Sequence, residues 1–140
     1  MTTSSTISDM SIDRSRTKTL AIDYGTVRIG VAVSYGSLAE PLEVVPNDER
    51  ALFRLAELCQ RERVELVVVG ISEAEMAEKT RAFIVELAKQ ISLPIVTADE
   101  TLTSHAVEEK LRFQPLKKRQ GAIDHYAAAE ILQNWLDEGV

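Results

Sequence analysis

Apolar positions change period several times along the chain, and each change predicts an element. Lys18–Tyr24 (KTLAIDY) is a short apolar run that reads as a strand. Gly25 and Thr26 follow as a turn, glycine being free to take positive φ. Arg28–Ser34 (RIGVAVS) alternates at Ile29, Val31 and Val33, so it predicts a second strand, and the short gap makes the two an antiparallel hairpin. A third strand is expected near Glu40–Val45. The spacing then becomes helical: Leu52, Leu55, Ala56 and Cys59 form one stripe on a helix capped by Asn47 or Asp48 and reaching about Arg63.

Glu65–Gly70 (ELVVVG) is a continuous β-branched run, the signature of a strand buried on both faces. Ser72 and Glu75 have capping-box spacing for a helix to about Gln90. That helix is expected to bury Ala77, Thr80, Ile84, Leu87 and Ile91, with Phe83 and Ala88 beside them. Pro94–Ala98 predicts a fifth strand, followed by a helix from about Ser104 to Arg112. Residues 113–121 read as a polar, basic loop. A final helix from about Ala122 to Asp137 aligns Ile123, Ala127, Ile131 and Trp135.

The order β-β-β-α-β-α-β-α-α predicts an α/β fold. Its mixed five-stranded sheet would join a three-strand antiparallel meander to two parallel strands, with helices on both faces. Residues 18–140 form one expected domain. Residues 1–17, rich in Ser and Thr and poor in large apolar residues, read as a disordered tail.

Composition narrows the class. The 140 residues are 45% apolar and 27% charged, ordinary values for a globular protein. No apolar run approaches the ~20 residues that cross a bilayer, so no membrane partner is expected. Residues 1–17 lack the apolar stretch of a secretory signal. The lone cysteine, Cys59, has no second thiol for a disulfide and lies on an apolar face, which fits core packing in a reducing cytoplasm. A net charge of −6 excludes a broad nonspecific nucleic-acid surface but leaves room for a local basic patch.

The candidate chemistry is acidic. Asp23 ends the first strand after Leu20, Ala21 and Ile22, where a carboxylate is costly unless paired, hydrogen-bonded or metal-bound. Asp99 and Glu100 end another strand, and Asp124 opens the last helix. Such positions converge at the edge of an α/β sheet where ligands bind. Converging carboxylates suit Mg²⁺ or Mn²⁺, and two such ions ~4 Å apart can drive phosphodiester hydrolysis without a side-chain nucleophile. Each acid also has a local alternative. Asp23 could bond the Gly25–Thr26 turn, Asp99 or Glu100 could cap the following loop, and Asp124 could sit in a first helical turn, where negative charge is favoured. These patterns do not choose between Asp99 and Glu100.

Three blocks resemble one known family. Ala21–Ser34 (AIDYGTVRIGVAVS), Ala98–Leu111 (ADETLTSHAVEEKL) and Ile123–Leu136 (IDHYAAAEILQNWL) occur in the order found in the YqgF family. Its members are RuvC-like resolvases also described as pre-16S rRNA nucleases, and the match spans nearly all of residues 18–138. The resemblance implies an RNase H-like fold and a metal-dependent endonuclease that leaves 5′-phosphate and 3′-hydroxyl ends. It implies Asp23, Glu100 and Asp124 as catalytic metal ligands for two Mg²⁺ or Mn²⁺ ions, with Asp99 supporting them. Two departures stand out. Gly70 leads directly into ISEAEMAEK, shortening a loop that in the family carries Leu-Pro and Asp-Gly, and Thr101 replaces the arginine that usually follows the Asp-Glu pair.

Lys110–Arg119 holds five basic residues and no acid. Within it, Lys117, Lys118 and Arg119 would grip phosphates close to Asp124, with Thr26 and Arg28 contributing from the first turn. A solvated loop and simple turn chemistry are the alternatives. His125 could hydrogen-bond a ligating carboxylate. Neither it nor His105 has zinc-site spacing.

The expected function is nuclease processing of pre-16S rRNA ends in the cytoplasm, with pre-rRNA and ribosomal particles as partners. A Holliday junction resolvase acting on branched DNA is the alternative. It would need a homodimer to cut two strands symmetrically. A non-catalytic nucleic-acid- or ribosome-binding module is a third reading. The Asp-Tyr-Gly-Thr turn also resembles the phosphate loop of actin-like kinases, but those require two such domains.

Overall fold

The computed structural model describes residues 13–71, 75–99 and 116–138, with side chains throughout except at 75, 99 and 116–125. Five strands form one sheet: β1 (Thr19–Tyr24), β2 (Arg28–Tyr35), β3 (Leu38–Pro46), β4 (Leu66–Ile71) and β5 (Ile95–Asp99). Helices α1 (Ala51–Arg61), α2 (Glu75–Gln90) and α3 (Leu116–Glu138) complete the described elements. The strand order is β3-β2-β1-β4-β5. β1–β2 and β2–β3 pair antiparallel, whereas β1–β4 and β4–β5 pair parallel. The expected mixed sheet, meander plus two parallel strands, is therefore present.

β1 is central, so alternate residues enter two different cores. Leu20 and Ile22 pack with Ile29, Val31, Val67 and Val69 against Leu55 and Leu58 of α1 and Phe83 and Leu87 of α2. Ala21 packs with Ala32, Leu66 and Val68 against Ala128, Ile131, Leu132 and Trp135 of α3. Helices thus cover both faces. Small residues on the second face, Ala21, Ala32, Ala39 and Ala98, let α3 lie close to the sheet.

β3 is an edge strand, and its sequence suits that position. Pro41 removes a ladder donor, and the register shifts between Val31 and Ala32, a bulge opposite Leu42. Arg54 of α1 clamps Glu43 through two bonds of 2.8 and 2.6 Å. Gln133 of α3 accepts from Ala39 N–H at 2.9 Å and donates to the Ser37 carbonyl at 2.9 Å, tying the β2–β3 hairpin to the helix.

Several local expectations change. Residues 116–121 belong to α3 rather than to a loop. Leu, Lys, Arg and Gln are strong helix formers, and the single Gly121 costs only about 1 kcal/mol, too little to end a helix whose later turns are packed. Asp124 is consequently the ninth residue of α3, not a first-turn residue, so a favourable helix dipole does not account for it. The N-cap of α1 is Arg50, with no side-chain cap. Asp48 instead accepts from Arg50 N–H at 2.9 Å and Asn47 reaches elsewhere. α1 ends at Arg61, and Arg63 takes a left-handed φ of 56°, a conformation usually left to glycine. In α2, Thr80, Phe83 and Leu87 are buried, but Ala88 is exposed.

Asp13–Thr17, read from sequence as tail, form a 3₁₀ turn capped by Asp13. Arg14 anchors it, bonding the Trp135 carbonyl and lying 4.1 Å from the centre of the Trp135 ring. Residues 1–12, Ser72 and the helix expected over 104–112 lie outside the described residues.

Candidate active site

Asp23 lies one residue before the end of β1, half-buried at the strand's C-terminal edge. Strand alternation puts it on the face of Ala21, the face α3 covers. Tyr24 points the other way and stacks on Phe83 of α2 with ring centroids 4.5 Å apart, which fixes the strand end.

The neighbours of Asp23 in the sheet are small. Gly30 is its register partner on β2 and Gly70 its partner on β4, and Ala98 pairs with Gly70 on β5. Across four strands the row reads Gly30, Asp23, Gly70, Ala98, with the carboxylate the only side chain longer than a methyl group. Glycine in a strand interior weakens the strand and marks a place where something approaches the backbone closely. From sequence Gly70 reads only as a strand end, and Gly30 is not singled out at all. The available signal was a glycine inside each apolar run, in RIGVAVS and at the end of ELVVVG.

The β1–β2 turn follows at once, with Thr26, Val27 and Arg28 exposed. A Cβ on Gly25 would meet the Arg28 carbonyl oxygen at 2.4 Å, so only glycine fits there. Asn47 closes the turn from β3, donating from Nδ2 to the Gly25 carbonyl at 2.8 Å and from its backbone to the Val27 carbonyl at 2.9 Å. Asn47 was expected only as a possible helix cap. Its role depends on the β2–β3 register, in which Arg28 pairs with Pro46.

The other expected site residues divide as follows. Asp99 is the last residue of β5, on the same sheet edge as Asp23. Glu100 lies outside the described residues. Asp124, His125, Lys117, Lys118 and Arg119 all sit on α3, the three basic residues in its first turn and Asp124 two turns later. The anchor at Gln133 lies level with the start of β1, because Ala39 pairs with Ser34 and the Ser34 hydroxyl accepts from Thr19 N–H. Asp124 precedes Gln133 by nine residues, about 13 Å of helix. Asp23 follows Thr19 by four residues, also about 13 Å of strand.

Cys59 is buried in the α1–α2 core, as its spacing predicted, and burial pushes its thiol up to about 11. Among the described residues no three metal-ligating side chains gather. No described helix is long and apolar enough to cross a membrane.

A mixed sheet of this order, with an acid at the end of its central strand and a long helix across that face, is the frame of an RNase H-like nuclease. Thermus thermophilus RuvC in complex with a Holliday junction substrate has the same fold. It shares 19% identity at a TM-score of 0.57, covering 87% of this chain and 94% of that one. Residues 17–138 match the RuvX family, described as Holliday junction resolvase. A Sulfurihydrogenibium sp. protein is 34% identical over 84% of this chain and 88% of its own, and one from Desulforamulus reducens is 38% identical over 86% and 96%. Both are named "Putative pre-16S rRNA nuclease". The chain belongs to the RuvX (YqgF) family, and it is a hydrolase acting on phosphodiester bonds.

Proposed function

We propose that this protein is a divalent-metal endonuclease that trims pre-16S rRNA ends, with Asp23, Glu100 and Asp124 as its metal-binding acids. The observation that carries the reading is the setting of Asp23. It is a half-buried carboxylate at the C-terminal edge of the central strand, flanked in the sheet by Gly30 on one side and by Gly70 and Ala98 on the other. Such a row sets no bulky side chain beside the carboxylate on either neighbouring strand.

Hard carboxylate oxygens in a half-buried setting fit Mg²⁺ or Mn²⁺. When bound, a pair of such ions supplies an activated water and neutralises the leaving oxygen. The chain's own part is to hold the acids in position. The matching 13 Å spans support Asp124 of α3 as the partner of Asp23. Glu100 has the sequence parity of Val96 and Ala98, which pack on the α3 side, whereas Asp99 has that of Ile95, which packs with the opposite core. This favours Glu100 as ligand and Asp99 as support, with His125 bonding a carboxylate from behind.

Lys117, Lys118 and Arg119, in the first turn of α3, then bind flanking phosphates, and Thr26 and Arg28 do so from the β1–β2 turn. The location is cytoplasmic, where ribosomal particles carry the substrate, and the solitary buried Cys59 suits a reducing compartment.

The test is cleavage of end-labelled pre-16S rRNA in Mg²⁺ or Mn²⁺, with a four-way DNA junction in parallel. Wild type should cut the RNA, and Asp23→Asn and Asp124→Asn should each lower kcat by at least about 100-fold, the scale of one removed charge-stabilising group. Efficient, symmetric cutting of the junction alone, by a dimer, would instead make the protein a resolvase, the activity its family description carries. Binding of either substrate without cleavage in either metal would leave the non-catalytic module.

A further inference from the structure

Among the described residues, Asn47, directly after β3, braces the turn beside Asp23 through two hydrogen bonds. We infer that Asn47 is a positioning residue for catalysis, fixing the β1–β2 turn so that Thr26, Val27 and Arg28 meet the nucleic acid in one geometry. This rests on the reading of Asp23 as a metal-binding acid.

Asn47 uses two donors on two acceptors of a single turn. Nδ2 bonds the Gly25 carbonyl at 2.8 Å and the backbone N–H bonds the Val27 carbonyl at 2.9 Å. The turn admits no side chain at its first position, since a Cβ on Gly25 would lie 2.4 Å from the Arg28 carbonyl oxygen. Asn47 is itself held from the far side. Asp48 N–H bonds the Pro46 carbonyl at 3.0 Å, the Asp48 carbonyl accepts from Ala51 N–H at 3.1 Å, and the Asp48 carboxylate accepts from Arg50 N–H. The turn is therefore coupled through Asn47 to the packed start of α1, where Ala51 is buried.

The turn also carries an unusual surface. Val27 is 68% exposed, the highest value among the exposed large apolar side chains described, and stands between Thr26 and Arg28. An exposed β-branched residue gains nothing for folding in that place, but beside a phosphate-binding pair it can pack on a sugar or base face. Apolar contact of this kind is directional only if its loop is fixed, and loops that hold substrate lose activity when displaced by about 1 Å.

The experiment compares Asn47→Ala and the isosteric Asn47→Asp, which lacks the Nδ2 donor, with Arg54→Ala. The last removes a side-chain brace between α1 and β3 that touches neither the turn nor α3. Cleavage kinetics on pre-16S rRNA, Tm and amide hydrogen exchange are measured for each, with Asp23→Asn beside them. Both Asn47 variants should exchange the backbone amide of residue 47 at least about tenfold faster and raise KM about five- to twentyfold while kcat changes less than threefold. Arg54→Ala should lower Tm comparably and leave both kinetic constants unchanged. Wild-type KM in Asn47→Asp, or equal KM losses in Asn47 and Arg54 variants, would overturn the assignment while leaving the acid site standing. Full cleavage by Asp23→Asn would remove the acid site and the assignment with it.

Discussion

Asp23 and Gly70 face one another across the parallel β1–β4 ladder, a carboxylate beside a residue with no side chain. The pairing joins a costly group to an otherwise wasteful one. A buried strand favours β-branched residues, and Val67, Val68 and Val69 supply them until the ladder reaches the level of Asp23. At that level the strands on either side of the acid carry no side chain at all, Gly30 and Gly70 being its two partners.

The role of the glycine beside the acid is testable directly. Gly70→Val should preserve the far-UV circular dichroism spectrum and lower metal-dependent cleavage at least about 100-fold, with Gly70→Ala intermediate, as expected when a side chain crowds groups that must sit within about 0.5 Å of their working positions. Unchanged cleavage in Gly70→Val would show that no ligand uses the row.

The basic turn of α3 predicts a salt signature. Replacing Lys117, Lys118 and Arg119 together by alanine should weaken RNA binding and reduce the slope of log K against log[salt] by about 2, near 0.7 per phosphate contact on a single strand. A slope that does not change would remove these residues from the interface.

Cys59 predicts a pH dependence. Its thiol is held near 11 against an ordinary value of 9.0 because burial disfavours the thiolate. Between those values the unfolded chain releases a proton that the folded one keeps, so stability falls as pH rises. The contribution is whole below pH 9 and is mostly lost by about pH 11, on the order of 2–3 kcal/mol. Urea unfolding of wild type and Cys59→Ala at pH 8 and pH 10.5 should show the gap between them narrow at the higher pH. At pH 8 the native thiol should react slowly with a disulfide reagent.

Leu132, fully buried where α3 meets the sheet, predicts a stability loss. Leu132→Ala should cost about 2–5 kcal/mol in urea unfolding through lost transfer energy and a cavity. A loss below about 1 kcal/mol would mean that α3 is held chiefly by Arg14 and Gln133.

Much of this protein is legible in its sequence. Alternation at Ile29, Val31 and Val33 and the unbroken Leu66–Val69 run mark strands correctly, although β2 is buried on both faces: its period is one of size, large residues entering the α1–α2 core and small ones such as Ala32 lying under α3. Asp23 stood out for the same local reason, an acid within an apolar run. The start of α3 was misread because Gly121 and a cluster of charges look like a loop when the packing further along the helix is not weighed.

Other features had no local trace. Gly30 and Gly70 are forty residues apart, and only strand pairing sets both beside Asp23. Asn47 reads as a helix cap in isolation and becomes a brace on Gly25 through the β2–β3 register. Periodicity and composition act over a few neighbouring residues, so the chain could announce its elements and its most conspicuous acid. Register and helix placement arise from contacts between distant segments, and those alone chose which residues surround that acid.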